Sequence, residues 1–252
     1  MKYFFLDWYL MTKRYALRYV RVPTLIVFSI IQPIMFLVLF RYVFGGAILV
    51  KTHNYVSYLM PGIIAQTTAF GSIATAVGLA EDFSGGMIER FRSMPVNKSS
   101  VLAGRLTTDT LRNILVVMVM VGVGYLVGFR FLNGILPAIA MTLMALFFGL
   151  AVSCVSAMIG MKLKDPEAVQ SFGLIWLFPL TFVSAAFVPV QTMPGWLQAV
   201  AKANPVTIII NSMRSMALGG PLEVNTLEAI AWLGGICIVF LPLAIRQFRK
   251  TV

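Results

Sequence analysis

Six stretches of this sequence, residues 22–40, 54–80, 113–129, 131–161, 168–201 and 229–245, contain no Asp, Glu, Lys or Arg. A helix that crosses a bilayer needs roughly 20 mainly apolar residues, with a range of about 17 to 25. Six spans are therefore expected, and the two longest runs leave room for re-entrant or surface segments. Only 12% of the chain is charged, about half the share usual in a soluble domain. A large soluble globule is excluded. The fold class is an all-α polytopic membrane protein in one domain, and no internal repeat is visible.

The formal net charge is +11, which in a soluble protein would suggest nucleic acid. The positive-inside rule accounts for it better. With a cytoplasmic amino terminus, fifteen of the twenty Lys and Arg residues fall on the cytoplasmic side of six spans. Arg41, Lys51, Arg130, Lys202 and Arg214 fall outside or at the outer edge. Both termini are thus expected inside, and no nucleic-acid partner is expected.

The longest polar interruption is residues 81–112, which hold four of the nine acidic side chains. Glu81, Asp82 and Gly85–Gly86 are expected to end the second span in a flexible acidic turn. Residues 87–92 read as a short helical turn that Pro95 stops. Asn97, Ser99 or Ser100 then caps a new helix. Arg105, Asp109 and Arg112 lie at four- and three-residue spacing, so all three meet on one face. If that helix is a solvated lead into the third span, such exposed pairs contribute only a few tenths of a kcal/mol.

Elsewhere the punctuation is local. Residues 1–22 mix aromatics with Lys13, Arg14, Arg18 and Arg21, which fits a signal peptide poorly. They fit an amphipathic interfacial helix with Trp8, Tyr9, Tyr15 and Tyr19 at headgroup depth. It serves either as a topology anchor or as an elbow that also touches a cytoplasmic partner. Gln32–Pro33 interrupts the first span and predicts a kink. The second span carries Gln66, Thr67, Thr68, Ser72 and Thr75 among small residues, which serve close helix packing or line a pathway. Gly124-x-x-x-Gly128 and the series Gly149, Ser153, Ser156, Gly160 are further small-residue packing signals. Asp165 precedes Pro166 as a cap before a first-turn proline. The fifth span is expected over 168–188. Residues 190–221 then form two pieces of about ten residues, too short to cross, split at Asn204–Pro205. They read as short helices dipping into or lying on the outer leaflet, with Trp196 as an anchor.

Chemistry is sparse. Cys154 and Cys237 each sit in a hydrophobic run and read as packing residues, with no metal spacing. His53, the single histidine, falls in an external loop. No ionisable group is expected between the helix ends, where a membrane enzyme or a proton-driven carrier would show its chemistry. The sequence has no G-x-x-x-x-G-K-[ST] phosphate loop. Such a chain is a channel, or it takes energy from a separate ATPase, and the long segment 81–112 suits the second option. A membrane interaction or immunity protein without transport is the alternative class.

Two motifs carry a resemblance across nearly the whole chain: ERFRSMPVNKSSVLAGR at 89–105, and FVPVQTMPGWLQAVAKANPVT at 187–207. With six spans, they closely resemble the permeases of type-2 ABC exporters, nearest the daunorubicin-resistance group. The resemblance implies that Glu89, Arg90, Arg92, Met94, Pro95 and Arg105, with the flanking Glu81 and Asp82, form the region that meets the ATPase. It makes Val188, Pro189, Met193, Pro194, Trp196, Asn204 and Pro205 parts of external re-entrant helices that act as a gate. It implies two permeases and two ATPase subunits, ATP and Mg²⁺ bound only by the latter, and a bacterial plasma membrane. Candidate pathway residues are Gln32, Gln66, Thr67, Ser72 and Thr75. The short external loops suit an amphipathic drug-like or lipid-like cargo, and similar permeases also move glycan polymers.

Overall fold

A computed structural model describes residues 4–45, 54–93, 97–219 and 223–251. His53, Met94, Pro95 and Pro221 lie outside these, as do the side chains of Arg92 and Glu223. Ten α-helices follow one another, with no strand among the described residues. They are α1 (Phe4–Arg21), α2 (Thr24–Leu39), α3 (Tyr55–Ser84), α4 (Met87–Ser93), α5 (Lys98–Val127), α6 (Ile135–Leu163), α7 (Pro166–Phe182), α8 (Gly195–Ala203), α9 (Pro205–Leu218) and α10 (Glu223–Thr251). A π-helical turn, Phe40–Phe44, extends α2, and a 3₁₀ turn, Val190–Thr192, precedes α8.

Five helices are long and apolar enough to cross a membrane: Thr24–Phe44, Tyr55–Ser84, Lys98–Val127, Ile135–Leu163 and Thr226–Phe248. The expected fifth span is shorter than the sequence suggested. Helix α7 has 17 residues and ends at Phe182 rather than 188, so at 1.5 Å per residue it spans about 25 Å. It stops because side chains, not a further helical turn, take its last carbonyls. Ser184 Oγ donates to Thr181 O at 2.5 Å, and Asn204 Nδ2 donates to Leu180 O and Val183 O.

The connector at 81–112 also differs from expectation. Helix α3 continues through Glu81 and Asp82, and Arg105, Asp109 and Arg112 lie within the 30-residue α5. What remains between them is α4 and its flanks. The cap is Asn97, whose side chain accepts from Ser99 N at 3.0 Å. Gly86, with φ 67°, supplies the turn after α3 that L side chains rarely adopt.

Helix α3 is the axis of the packing. Its apolar residues, among them Leu59, Met60, Ile63 and Ile64, form one core with Met120 of α5 and with Met141 and Phe148 of α6. Membrane helices associate through close packing and hydrogen bonds rather than water release, and α3 shows why the small residues matter. A Cβ at Gly160 would lie 2.3 Å from Ala76 O, and one at Gly149 would lie 3.1 Å from Thr68 Cβ. Ser72 and Ser156 share a 2.8 Å hydrogen bond across the same seam.

Gly124-x-x-x-Gly128 divides into two roles. Gly124 meets Met60, whereas Gly128, at φ 102°, ends α5. There Phe129 N reaches Gly124 O and Gly128 N reaches Tyr125 O, the paired bonds of a Schellman stop. The outer faces of α2 and α10 are apolar and exposed, including Phe28, Met35, Leu227 and Ile238, as a lipid-facing surface requires. Cys154 and Cys237 are free thiols in the packing between α6 and α10.

Candidate functional site

Polar side chains cluster at both ends of α3 and in one cavity along its flank. At its C-terminal end, α1 lies across α3 and α5. Gly104 permits this, since a Cβ there would sit 2.6 Å from Met11 Cβ. Along α1, Asp7 Oδ2 accepts from Asn97 N at 3.0 Å and Trp8 Nε1 donates to Thr107 Oγ1 at 2.9 Å. Further on, Tyr15 OH donates to Asp82 Oδ2 at 2.8 Å and Tyr19 OH to Asp109 Oδ1 at 2.9 Å. Arg18 pairs with Glu81 at 2.5 Å and Arg14 approaches Asp82 at 3.8 Å.

Of the four α1 aromatics read at headgroup depth, Tyr9 alone is exposed. Trp8, Tyr15 and Tyr19 turn inward as donors. Burial first, and the neighbouring carboxylates second, push both tyrosine hydroxyls above the usual phenol range, so they stay protonated and donate.

Beneath α1 sits the cluster that was expected to be solvated. Arg105, Asp109 and Arg112 are only 5%, 1% and 7% exposed. Arg105 Nε lies 3.3 Å from Asp109 Oδ2 and its Nη2 donates to Ala74 O at 2.6 Å. Asp109 Oδ2 also accepts from Thr75 Oγ1 at 2.6 Å. Arg112 donates to Gly71 O at 2.7 Å and to the Tyr19 hydroxyl at 3.2 Å. Gly71 and Gly78 make room: a Cβ would fall 2.7 Å from Arg112 Nη2 at one and 1.8 Å from Arg105 Nη2 at the other. A buried ion pair of this kind gains little in net stability, yet breaking it by removing one partner costs about 3–5 kcal/mol.

Of the residues expected at an ATPase contact, Glu81, Asp82 and Arg105 are thus engaged with α1 or within α5. Glu89 and Arg90 lie on α4. Its Ile88 and Phe91 are buried in a core with Tyr15, Leu79, Leu102, Met161 and Phe248. The Arg14 guanidinium lies 5.0 Å from the Phe91 ring centre. With that face anchored, Glu89 and Arg90 are exposed on the other.

The cavity lies between α2, α3, α5 and α7 and has a volume of about 240 Å³. Of the residues read as candidates for a pathway, Gln32, Gln66 and Thr67 line this cavity. Ser72 and Thr75 do not; they face α6 and Asp109 in the helix seam. Arg112, Asn113 and Gln170 line it in their place. The signal for Asn113 and Gln170 was slight: each is an uncharged polar residue near the start of an apolar run.

At the N-terminal end of α3, the chain between α7 and the 3₁₀ turn is not helical. Its freed carbonyls find side-chain donors, as buried backbone must. Tyr55 OH donates to Phe187 O at 3.1 Å and Tyr58 OH to Ala185 O at 3.2 Å. Gly62 admits the segment, since a Cβ there would lie 2.2 Å from Ala186 O. Asn204 binds Leu180 O and Val183 O through Nδ2 and caps α9 through Val206 N, with Pro205 as the first helical residue. Arg214, expected as an outer-edge cation, turns inward. Its guanidinium stacks 3.6 Å from the Tyr58 ring centre and donates to Ala185 O at 2.8 Å. Pro189 starts the 3₁₀ turn, Met193 packs against a small cluster with Val190 and Ala201, Pro194 precedes α8, and Trp196 is exposed.

The sequence that builds this site has known relatives. The ABC-2 type transporter family matches residues 7–218. The chain is 34% identical over 230 residues to a daunorubicin resistance ABC transporter permease protein of Streptomyces coeruleorubidus, covering 90% of this chain and 81% of that one. It is 30% identical over 244 residues to a probable doxorubicin resistance ABC transporter permease protein of Mycobacterium tuberculosis, covering 96% and 88%. A putative transport permease of Cyanophora paradoxa is 26% identical over 220 residues, covering 84% and 74%. The chain belongs to the ABC-2 type transporter family, as a multi-pass membrane permease subunit of an ABC transporter.

Proposed function

We propose that this permease works as an exporter in which a separate ATPase subunit, present in two copies, supplies the energy. A second copy of this chain or a close homologue completes the pair. ATP and Mg²⁺ are bound by the ATPase alone, and this chain holds no cofactor. Both termini face the cytoplasm of a bacterial cell, in its plasma membrane. Helix α7 serves as a sixth span, and α8 and α9 are re-entrant from the outside.

The observation that carries the coupling role is α4. Its buried Ile88 and Phe91 fix it to the same core as α1, α3 and α5, while Glu89 and Arg90 face outward. A push on Glu89 or Arg90 would pass directly into three long elements. Arg92, Met94 and Pro95 belong to the same contact by sequence position. Glu81, Asp82 and Arg105 act one layer further in, by holding α1, α3 and α5 together.

The cargo is an amphipathic drug, lipid or glycan-type molecule moved outward, a class in keeping with relatives named for daunorubicin and doxorubicin resistance. Gln32, Gln66 and Thr67 line its path. Charge reversal by Glu89→Lys is expected to abolish ATP-dependent export from vesicles while membrane insertion stays normal. Full export by that variant would refute the coupling role of α4. Co-purification of a stoichiometric ATPase whose hydrolysis depends on this chain tests the partner.

A further inference from the structure

The cavity beside α3 has a chemical bias that its position alone does not explain. Its polar lining is made of amides and hydroxyls together with the Arg112 guanidinium, and no carboxylate lines it. The charge balance behind it is uneven. Arg105 and Arg112 share one carboxylate, Asp109, at 3.3 Å and 4.0 Å respectively. The hydrogen bonds of Arg112 go to neutral groups: the Gly71 carbonyl, the Tyr19 hydroxyl and the Asn113 side chain. Asp82 lies among Tyr15, Arg14 and Arg105, so it offsets Arg105 and not Arg112. The Arg112 charge therefore faces the cavity with its Asp109 contact no closer than 4.0 Å, and a weakly compensated buried charge is unfavourable.

Size narrows the occupant. A volume of about 240 Å³ falls below the roughly 300–1,000 Å³ of sites that enclose a drug-sized ligand. The cavity can hold a headgroup, and the rest of the molecule must lie outside it. The flanking helices leave Phe28, Ile31 and Met35 of α2 and Ile175 and Phe178 of α7 exposed, an apolar surface suited to a tail.

We propose that this cavity binds the oxyanion headgroup of an anionic amphiphile, a phosphodiester or carboxylate, between Arg112 and the amides of Gln32, Gln66 and Gln170. With Nη1 and Nη2 donating to Tyr19, Gly71 and Asn113, Arg112 acts through its charge, and the amide N–H groups of the glutamines supply hydrogen bonds to the oxyanion. Cationic amphiphiles find no carboxylate among the described lining residues and meet the Arg112 charge. The inference deepens the permease reading and rests on it for the cavity's place in transport, but binding is measured separately from transport.

The test uses the full chain in phosphatidylcholine nanodiscs and three lipid probes with one fluorescent tail. Their headgroups are phosphatidylglycerol, phosphatidylcholine and a trimethylammonium-propane cation. The anionic probe is expected to bind at least about tenfold tighter than the cationic one. Arg112→Gln removes that preference. Because Arg112 is buried, Gln32→Glu and Gln170→Glu give an independent arm: both positions are exposed, so each adds a negative charge to the lining without disturbing the core. Each is expected to abolish the preference.

Equal binding of anionic and cationic probes, or a preference unmoved by Gln32→Glu and Gln170→Glu, overturns the proposal. Displacement of the anionic probe by inorganic phosphate alone would assign the site to a soluble anion and also overturn it; resistance to phosphate supports the amphiphile. Retained ATP-dependent export without any anion preference would sink this inference and leave the permease reading intact. Anion preference in a chain without ATP-dependent export would do the reverse.

Discussion

The two ends of α3 solve the same problem, polar groups inside an apolar molecule, by opposite means. Where α1 crosses α3 and α5, side chains pair with side chains: Tyr15 with Asp82, Tyr19 with Asp109, Arg105 with Asp109. All three helices stay unbroken there. At the other end side chains pair with freed backbone: Tyr55, Tyr58, Asn204 and Arg214 reach the carbonyls of residues 180–187. The first arrangement is a joint that makes three helices move together. The second is a plug that exists only because the chain leaves the helix. The charges at the joint are compensated chiefly by one another, so a single loss leaves a charge stranded. Those at the plug are neutral apart from Arg214, so a single loss leaves a carbonyl.

That difference sets the order of expected effects. Asp109→Ala leaves two buried guanidinium groups without their carboxylate, and is expected to cost about 3–5 kcal/mol, read as thermal unfolding in detergent. Replacing the charges together, Arg105→Met with Asp109→Leu and Arg112→Met, is expected to recover much of that loss, because an apolar substitute for a whole buried cluster is often neutral. No recovery would show that the joint depends on more than charge compensation. At the plug, Asn204→Ala removes the α9 cap and two carbonyl partners. It is expected to cost about 2 kcal/mol, with loss of protection in hydrogen exchange confined to residues 180–187 and the start of α9.

The next contrast is a matched pair. Tyr15→Phe and Tyr58→Phe each delete one hydroxyl while keeping the ring. Each is expected to cost about 1 kcal/mol, but with different spread. Tyr15 contacts α3 and packs with α4, α5, α6 and α10 in one core, so its loss should raise exchange in several helices. Tyr58→Phe should raise it only in the plug. Equal spread from both would erase the distinction between joint and plug.

Local signals were legible in the sequence and distant pairings were not. Asn97 and Asp165 cap their helices as their spacing implies, and Pro166 stands where a first-turn proline belongs. The small residues of α6 do form a close seam with α3. The Arg105–Asp109–Arg112 spacing was visible, but not its burial, because what buries it lies far away in the chain. Tyr19 is 90 residues from Asp109 and Thr75 is 34. Gly71 and Gly78 read as generic packing glycines, and only the guanidinium groups lodged against them explain their position. Arg214 misled for a like reason: a lone cation near an outer loop reads as solvated unless Tyr58, 156 residues away, is known to face it. Gln32 and Gln66 stand out as amides in apolar runs and Thr67 as a hydroxyl beside one, and all three border the cavity. Ser72 and Thr75 were not separable from them, since a hydroxyl serves a helix seam as readily as a cavity.

The smallest expected effect concerns two tryptophans on short terminal-type helices. Trp8 of α1 donates to Thr107 and is partly buried against α5. Trp196 of α8 is 73% exposed. Gln198 of α8 donates to Gln191 O and Met193 O, within the helix's own approach. Trp8→Ala should therefore destabilise the joint measurably in detergent, whereas Trp196→Ala should stay within about 0.5 kcal/mol of the parent. The two should exchange order in a bilayer. If Trp196 anchors α8 at the membrane surface, as indole rings do, its loss should alter the depth of α8 while leaving α1 in place. Quenching of a fluorophore on α8 by lipids brominated at graded depth reads this directly. A detergent effect of Trp196→Ala as large as that of Trp8→Ala would mean that α8 is held by the protein, not by the lipid.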